Sequence, residues 1–258
     1  MASATQGNFI WYDLLTPEPE AAAAYYREVV GWTTQAFPTG DVAYTMFVGP
    51  QGPTAGTAKP EGAGAGPQWV GNVYVDDVDR TAALATELGG RVIAPPQDYP
   101  TVGRMAVLVD PQGAPINVFK PSRPFELHDL TKPGALTWHE LAATDHQAAF
   151  AYYGRLFGWQ RRREVDLGPM GTYLVYGVGE RELGGMFSQP KQGPPRPVWL
   201  YYIQVAELDA AVARAQAGGG RLANGPMQVP GGARIAQLVD PQGVRFALHE
   251  NARDAGAP

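Results

Sequence analysis

The chain repeats itself, and the repeat limits what it can fold into more than any other feature. Ile10-Trp11-Tyr12-Asp13-Leu14 returns 127 residues later as Thr137-Trp138-His139-Glu140-Leu141. Tyr25-Tyr26 and Gly31-Trp32 return at the same spacing as Tyr152-Tyr153 and Gly158-Trp159. Arg104 and Asp110-Pro111-Gln112-Gly113 return as Arg234 and Asp240-Pro241-Gln242-Gly243, now 130 residues on. A drift of three residues is what loop insertions inside a duplicated domain leave behind. Fainter copies lie within each half: Trp11 to Gly31 overlays Val70 to Gly90 at an offset of 59, and Trp138 to Gly158 overlays Leu200 to Gly220 at 62. The chain is read as four copies of one small module.

Composition narrows the class. With 258 residues, 45% of them hydrophobic, the chain can bury a real core, and a net charge of −5 provides no basic surface for a nucleic-acid backbone. Gly (32) and Pro (24) stand well above their usual share, which calls for many turns and short elements. There are no cysteines, so disulfides, thiolate metal sites and thiol nucleophiles are excluded together. No stretch of 18 apolar residues and no basic, apolar leader is present, so the expectation is a cytoplasmic protein with no membrane partner.

Periodicity resolves the module. Residues 8–15 alternate and carry Phe9, Ile10, Trp11 and Tyr12, as a strand does. Thr16 as cap, Pro17 at the first helical position and Glu18 as an early acid predict a helix over 18–30, stopped by Gly31. Strands are expected near 42–48 and 54–59, followed by a glycine-rich connector from Glu61 to Pro67. The second module is expected as a strand at 68–75, a helix at 77–88 and strands near 91–94, 104–109 and 115–119, with Asp110-Pro111-Gln112-Gly113 as the turn between the last two. The second half repeats this from about 135 to 249. Pro121 to Gly134 reads as a linker, giving domains at 1–123 and 135–258 around a connection at 124–134.

Paired βαβββ modules, a strand–Pro/Asp–helix–Tyr-Tyr–Gly-Trp opening and a closing Asp-Pro-Gln-Gly turn resemble the vicinal oxygen chelate superfamily, which includes glyoxalase I, extradiol dioxygenases and bleomycin- and fosfomycin-resistance proteins. The match covers residues 8–120 and 135–250. More narrowly, the chain is similar to bacterial two-domain proteins of the glyoxalase/bleomycin resistance protein/dioxygenase family. The resemblance implies an α+β fold of two tandem domains, each curving a sheet around a cavity with helices outside. It also implies a fused pseudo-dimer, with a homodimer of such chains a further possibility.

Metal-dependent members place a His on the first strand of a module and a Glu after the Asp-Pro-Asp-Gly turn. Carried over position by position, the His falls on Trp11, Trp138, Val70 and Leu200, and the Glu on Asn117 and Ala247. None is a strong ligand for a divalent ion, so no metal and no other cofactor is expected. Strand alternation places Asp13, Asn72 and Asn117 toward one cavity and Glu140, Tyr202 and His249 toward the other, with Phe119 beside Asn117. Glu140 with His249 forms the one alternative ligand pair. His139 reads as a core residue beneath the helix, and Tyr25, Tyr26, Tyr152 and Tyr153 as packing. Trp32 and Trp159 cap the core.

Asp13 and Glu140 are the candidate catalytic residues, because both halves keep an acid there. A carboxyl in an apolar cavity has a raised pKa and serves as a general acid or base. The competing reading is an ion pair with Arg104 or Arg234, which also recur. Trp11 and Trp138 either floor the cavity or stack on an aromatic ligand. Two function classes follow. One is a binding protein for a small, partly aromatic organic molecule, contacted by Trp11, Asp13, Asn72, Arg104, Asn117, Phe119, Trp138, Glu140, Tyr202, Arg234 and His249. The other is an enzyme (lyase, isomerase or hydroxylase-like) that works without metal or on an atypical metal site.

Overall fold

Alternating burial along Phe9–Leu15 and Leu136–Ala143 makes each of these strands two-faced, and each is followed by a helix that covers one face. The computed structural model describes residues 5–39, 42–60, 66–190 and 196–252. The first module runs β1 (Phe9–Leu15), α1 (Pro19–Val30), β2 (Thr33–Thr39), β3 (Val42–Gly49) and β4 (Gly52–Ala58). The second runs β5 (Gln68–Tyr74), α2 (Val78–Glu87), β6 (Arg91–Tyr99), β7 (Gly103–Val109) and β8 (Pro115–Pro121). The third is β9 (Leu136–Ala143), α3 (His146–Phe157), β10 (Gln160–Asp166), β11 (Thr172–Val178) and β12 (Arg181–Ser188). The fourth is β13 (Val198–Gln204), α4 (Leu208–Ala217), β14 (Arg221–Gln228), β15 (Arg234–Val239) and β16 (Arg245–Glu250). All four are βαβββ. They form two eight-stranded sheets of identical order, β2-β3-β4-β1-β5-β8-β7-β6 and β10-β11-β12-β9-β13-β16-β15-β14. The fold is α+β, as the resemblance implies. The connector from Glu61 to Pro67 lies for the most part outside the described residues.

Three local readings are corrected. Thr33–Thr39 is a strand that its Pro38 and its polar, exposed residues had hidden; an edge position tolerates both. Helix α1 starts at Pro19, not Pro17, and no side chain caps it. The Thr16 hydroxyl donates to Gln242 Oε1 instead. Strand β6 continues to Tyr99, beyond the expected 94, with its pairing to β7 slipping on either side of Ala94 as Pro95 and Pro96 withhold their N–H groups. The helix stops are as expected: Gly31 and Gly158 sit in the left-handed region at φ 86° and 77°, where a side chain would be strained.

By compactness the chain divides into two units, and each takes one module from each half. One gathers Met1–Trp11, Val70–Leu127 and Trp138–Leu200; the other gathers Tyr12–Trp69, His128–Thr137 and Tyr201–Pro258. In the first unit, Tyr153, Phe157, Trp159, Tyr176 and Trp199 pack ring against ring with Phe9 and His139. In the second, Tyr26, Trp32, Phe47, Trp69 and Phe246 do the same. Trp159 and Trp32 donate their indole N–H groups to Gly7 O and Gly134 O.

The Asp-Pro-Gln-Gly turns join the modules inside each unit. Asp110 Oδ1 accepts the backbone N–H groups of Gln112, Gly113 and Ala114 at 2.7–2.9 Å, and Oδ2 accepts the Tyr153 hydroxyl at 3.0 Å. Asp240 accepts Gln242 N and Val244 N, both at 2.9 Å, and the Tyr26 hydroxyl at 3.3 Å. Gln112 grips both backbone groups of Asp145 at 2.7 and 2.8 Å, and Gln242 grips both of Glu18 at 3.0 Å. The second tyrosine of each pair therefore bonds a turn. The first, Tyr25 or Tyr152, buries its hydroxyl oxygen with no hydrogen-bond partner among the described residues.

Neighbouring tyrosines should respond oppositely to the same change. Tyr26→Phe and Tyr153→Phe remove a bond to a buried carboxylate and are expected to cost about 1–3 kcal/mol in denaturant unfolding. Tyr25→Phe and Tyr152→Phe remove an unsatisfied hydroxyl and should leave stability equal or higher. A second expectation concerns His139, which is 2% exposed, stacked on Phe9 and bonded through Nδ1 to Leu183 O at 2.5 Å. Burial pushes its pKa down from 6.5 to about 3. Between those values the unfolded chain takes up a proton that the folded ring refuses, so stability falls as pH drops from about 6.5 toward 3. The matching residue in the first half is Tyr12, and His139→Tyr should flatten that slope in pH-dependent urea titrations.

Candidate functional site

The half-buried face of β1 presents Trp11 and Asp13, and that of β9 presents Trp138 and Glu140, while Tyr12, Leu14, His139 and Leu141 are buried on the other side. Each acid lies opposite a glycine of the parallel neighbour strand: Asp13 pairs with Gly56 and Glu140 with Gly185. Both glycines are required by a tyrosine that crosses them. A Cβ on Gly56 would lie 2.1 Å from the Tyr44 hydroxyl, and one on Gly185 would lie 2.0 Å from the Tyr173 ring. Through these gaps Tyr44 donates to Asp13 Oδ1 at 2.6 Å, and Tyr173 donates to Glu140 Oε2 at 2.9 Å. In the second half the chain extends one step, because Trp138 Nε1 donates to the Tyr173 hydroxyl at 2.8 Å. The result in each half is a carboxylate with a phenol delivered to it, a pair suited to orient a ligand or to relay a proton.

The ion pairs expected between Asp13 or Glu140 and Arg104 or Arg234 are not the ones formed. Arg104 forks onto Asp79, in the first turn of α2, at 2.7 and 2.8 Å and reaches Asp98 at 2.9 Å. Arg234 forks onto Asp209, in the first turn of α4, at 2.8 and 2.9 Å and reaches Glu250 at 3.4 Å. Both guanidinium groups are thus engaged on the helix side of their strands, where the repeat preserves a helix-to-strand tether. These bridges end on exposed aspartates, where water and salt screen the attraction, so they locate the strand against the helix more than they stabilise it.

The remaining candidates divide between the two units. Asn72 and Asn117 are buried partners on β5 and β8, and Asn72 Nδ2 donates to Trp11 O at 3.4 Å. Phe119 belongs to a small apolar cluster with Ile10 and Leu127. Tyr202 is the partner of Ala247 and accepts from Gln237 Nε2 at 2.9 Å, and His249 meets Gln204. Among the described residues, no three of His, Cys, Asp and Glu are grouped so as to hold a metal ion. Tyr44, Tyr173, Gly56, Gly185, Gln204 and Gln237 were not singled out from the sequence. The signal was present: Tyr44 and Tyr173, and likewise Gly56 and Gly185, stand 129 residues apart, between the 127 and 130 of the other repeats.

A methyl group at the crossing point should part the pair. Gly185→Ala is expected to swing Tyr173 off Glu140 and cost about 1–3 kcal/mol, and Gly56→Ala should do the same to Tyr44 and Asp13. A crystal structure of G185A with the Tyr173–Glu140 contact unchanged would contradict the steric argument.

Comparison with known proteins places the chain in a family. Residues 135–248 match the model of the glyoxalase/bleomycin resistance protein/dioxygenase superfamily, and residues 10–119 match that of the glyoxalase-like domain. CFP32 of Mycobacterium tuberculosis, provisionally named a glyoxylase, is 32% identical over 248 residues, covering 94% of each chain. The anthracycline biosynthesis protein DnrV of Streptomyces peucetius is 32% identical over 256 residues, covering 93% of this chain and 92% of its own. Among solved structures, the Mn(II)-bound glyoxalase of Novosphingobium aromaticivorans shares the fold at a TM-score of 0.66 and 14% identity, covering 98% of this chain and 84% of that one. The 2,2',3-trihydroxybiphenyl 1,2-dioxygenase of Sphingomonas wittichii does so at 0.68 and 12%, covering 99% and 93%. With both halves matched and relatives aligned over nearly its full length, the chain belongs to the glyoxalase/bleomycin resistance protein/dioxygenase superfamily, in its tandem two-domain form.

Proposed function

We propose that this protein binds a small, partly aromatic organic molecule against the sheet faces that carry the tyrosine–acid pairs, and does so without the divalent ion of its metal-dependent relatives. The observation that carries the reading is the bonded chain from Trp138 through Tyr173 to Glu140, with its counterpart of Tyr44 and Asp13 in the first half. An indole face beside an oriented phenol and a carboxylate combines apolar contact with a few fixed polar groups, as small-molecule sites do. The donor set at the superfamily's metal positions, indole at Trp11 and Trp138, alkyl at Val70, Leu200 and Ala247 and carboxamide at Asn117, does not fit a divalent ion. The relative named for anthracycline biosynthesis supports a small organic molecule as the ligand class.

A second reading draws on the same contacts. A phenol held 2.6 or 2.9 Å from a carboxylate is placed to pass a proton, so Glu140 or Asp13 would act as base through its tyrosine. The relative named as a glyoxylase favours this reading.

Native mass spectrometry and thermal shift against a panel of phenols, quinones and aromatic antibiotics separate the two. A ligand at about 100 times its Kd should raise Tm by about 5 °C or more, and Tyr173→Phe or Glu140→Gln should weaken its binding about tenfold or more. Arg104→Gln should leave the affinity unchanged. No saturable ligand across the panel would sink the binding proposal. Turnover of methylglyoxal–thiol adducts or catechols, lost in Glu140→Gln with the fold intact, would establish the enzyme instead.

A further inference from the structure

Strands β13, β16 and β15 lie side by side, and the face of these strands turned away from α4 carries a ladder of polar side chains. Ala247 is the register partner of Tyr202 on one side and Gln237 on the other, and its small side chain lets Gln237 Nε2 reach the Tyr202 hydroxyl at 2.9 Å. One step along, Gln204 and His249 are partners whose side chains meet, Nδ1 lying 2.6 Å from Gln204 Oε1. The neighbours of His249 point the other way. Leu248 is fully buried, and Glu250 accepts the N–H of Leu208 at the start of α4.

These bonds settle which ring nitrogen carries the hydrogen. Gln204 Nε2 donates to Val205 O at 3.3 Å, so its oxygen is the atom facing the imidazole. An amide oxygen only accepts, so Nδ1 is the donor and Nε2 holds the lone pair. Burial lowers the pKa of His249 below the ordinary histidine value, which keeps the ring neutral at pH 7. Among the described residues, Nε2 has no hydrogen-bond partner. A half-buried ring fixed through one nitrogen and offering the other is how proteins present an imidazole to something outside themselves.

We propose that His249 Nε2 accepts a hydrogen bond from the ligand's hydroxyl, a phenolic or enolic O–H, and that Gln204 is the positioning residue that holds the ring for it. The inference rests on the small-molecule reading above. A metal ion is a poorer occupant, because the rest of this ladder (Tyr202, Ala247, Gln237 and Gln204) brings no second imidazole and no carboxylate to complete a coordination shell.

The test is nitrogen-15 histidine NMR on the full chain, whose four histidines give few signals. The expected spectrum at pH 7 shows His249 protonated at Nδ1. Catechol should move its Nε2 resonance, whereas 1,2-dimethoxybenzene, which has no O–H, should not. Gln204→Leu should erase the tautomer preference and weaken catechol binding about tenfold, with His139 and His146 unmoved. Protonation at Nε2 in the free protein would overturn the proposal. So would catechol leaving His249 unmoved; if it raises Tm all the same, the small-molecule reading stands and only this inference falls. A response of His249 to micromolar Zn(II) with none to catechol would replace it with a metal site.

Discussion

Two buried carboxylates, Asp110 and Asp240, hold together most of what the duplicated sequence preserves. A carboxylate taken out of water needs several donors, and each finds them in its own turn and in a tyrosine of another module. The turn supplies the backbone N–H groups of the residues that follow it, and Tyr153 or Tyr26 supplies a hydroxyl. Burial raises the pKa of both acids, and the donors gathered around them pull in the other direction. The tyrosine ring that makes this bond stands amid the buried tryptophans, so one residue joins the polar joint to the apolar core. The glutamine of the same turn then grips the start of α1 or α3 by its backbone, and helix and turn are located together.

On the opposite face of the first strand of modules one and three, the logic is steric. Tyr44 and Tyr173 could not reach Asp13 and Glu140 if Gly56 and Gly185 had side chains. Their absence lets a tyrosine from the next strand lie across the sheet and complete a polar pair. The halves then diverge: a shorter acid with the closer phenol in one, and a longer acid with an added indole donor in the other. The modules that follow diverge further, with Asn72 and Asn117 in one position set and Tyr202 and Ala247 in the other.

The repeat made the modules, the helices and the aromatic cores legible, because each is a local pattern written more than once. Helix α3 is a case: apolar spacing, Asp145 before it and Gly158 after it are all readable without a partner. What was not legible depended on pairing. Strand β2 is polar and exposed, and only its neighbour β3 makes it a strand. Thr16 has the chemistry of a helix cap, but a glutamine 226 residues away takes its hydroxyl. Arg104 and Arg234 recur with Asp13 and Glu140, and co-recurrence suggested contact; the register places each arginine on the helix side, beside an aspartate that a strand–helix pattern alone does not single out. The tyrosine–acid pairs stayed hidden because tyrosine and acid are separated by 31 and 33 residues, and only the glycine between their strands brings them together.

The grip of Gln242 on Glu18 and of Gln112 on Asp145 has a consequence for how such a chain can change over generations. Each contact joins a residue from one copy of the ancestral domain to a residue from the other, so neither copy is free to drift at these positions without its counterpart. The tyrosine–acid pairs on the sheet faces are each made within one half. Duplication has thus left one protein with a shared frame that must be inherited jointly and two sheet faces that can change apart.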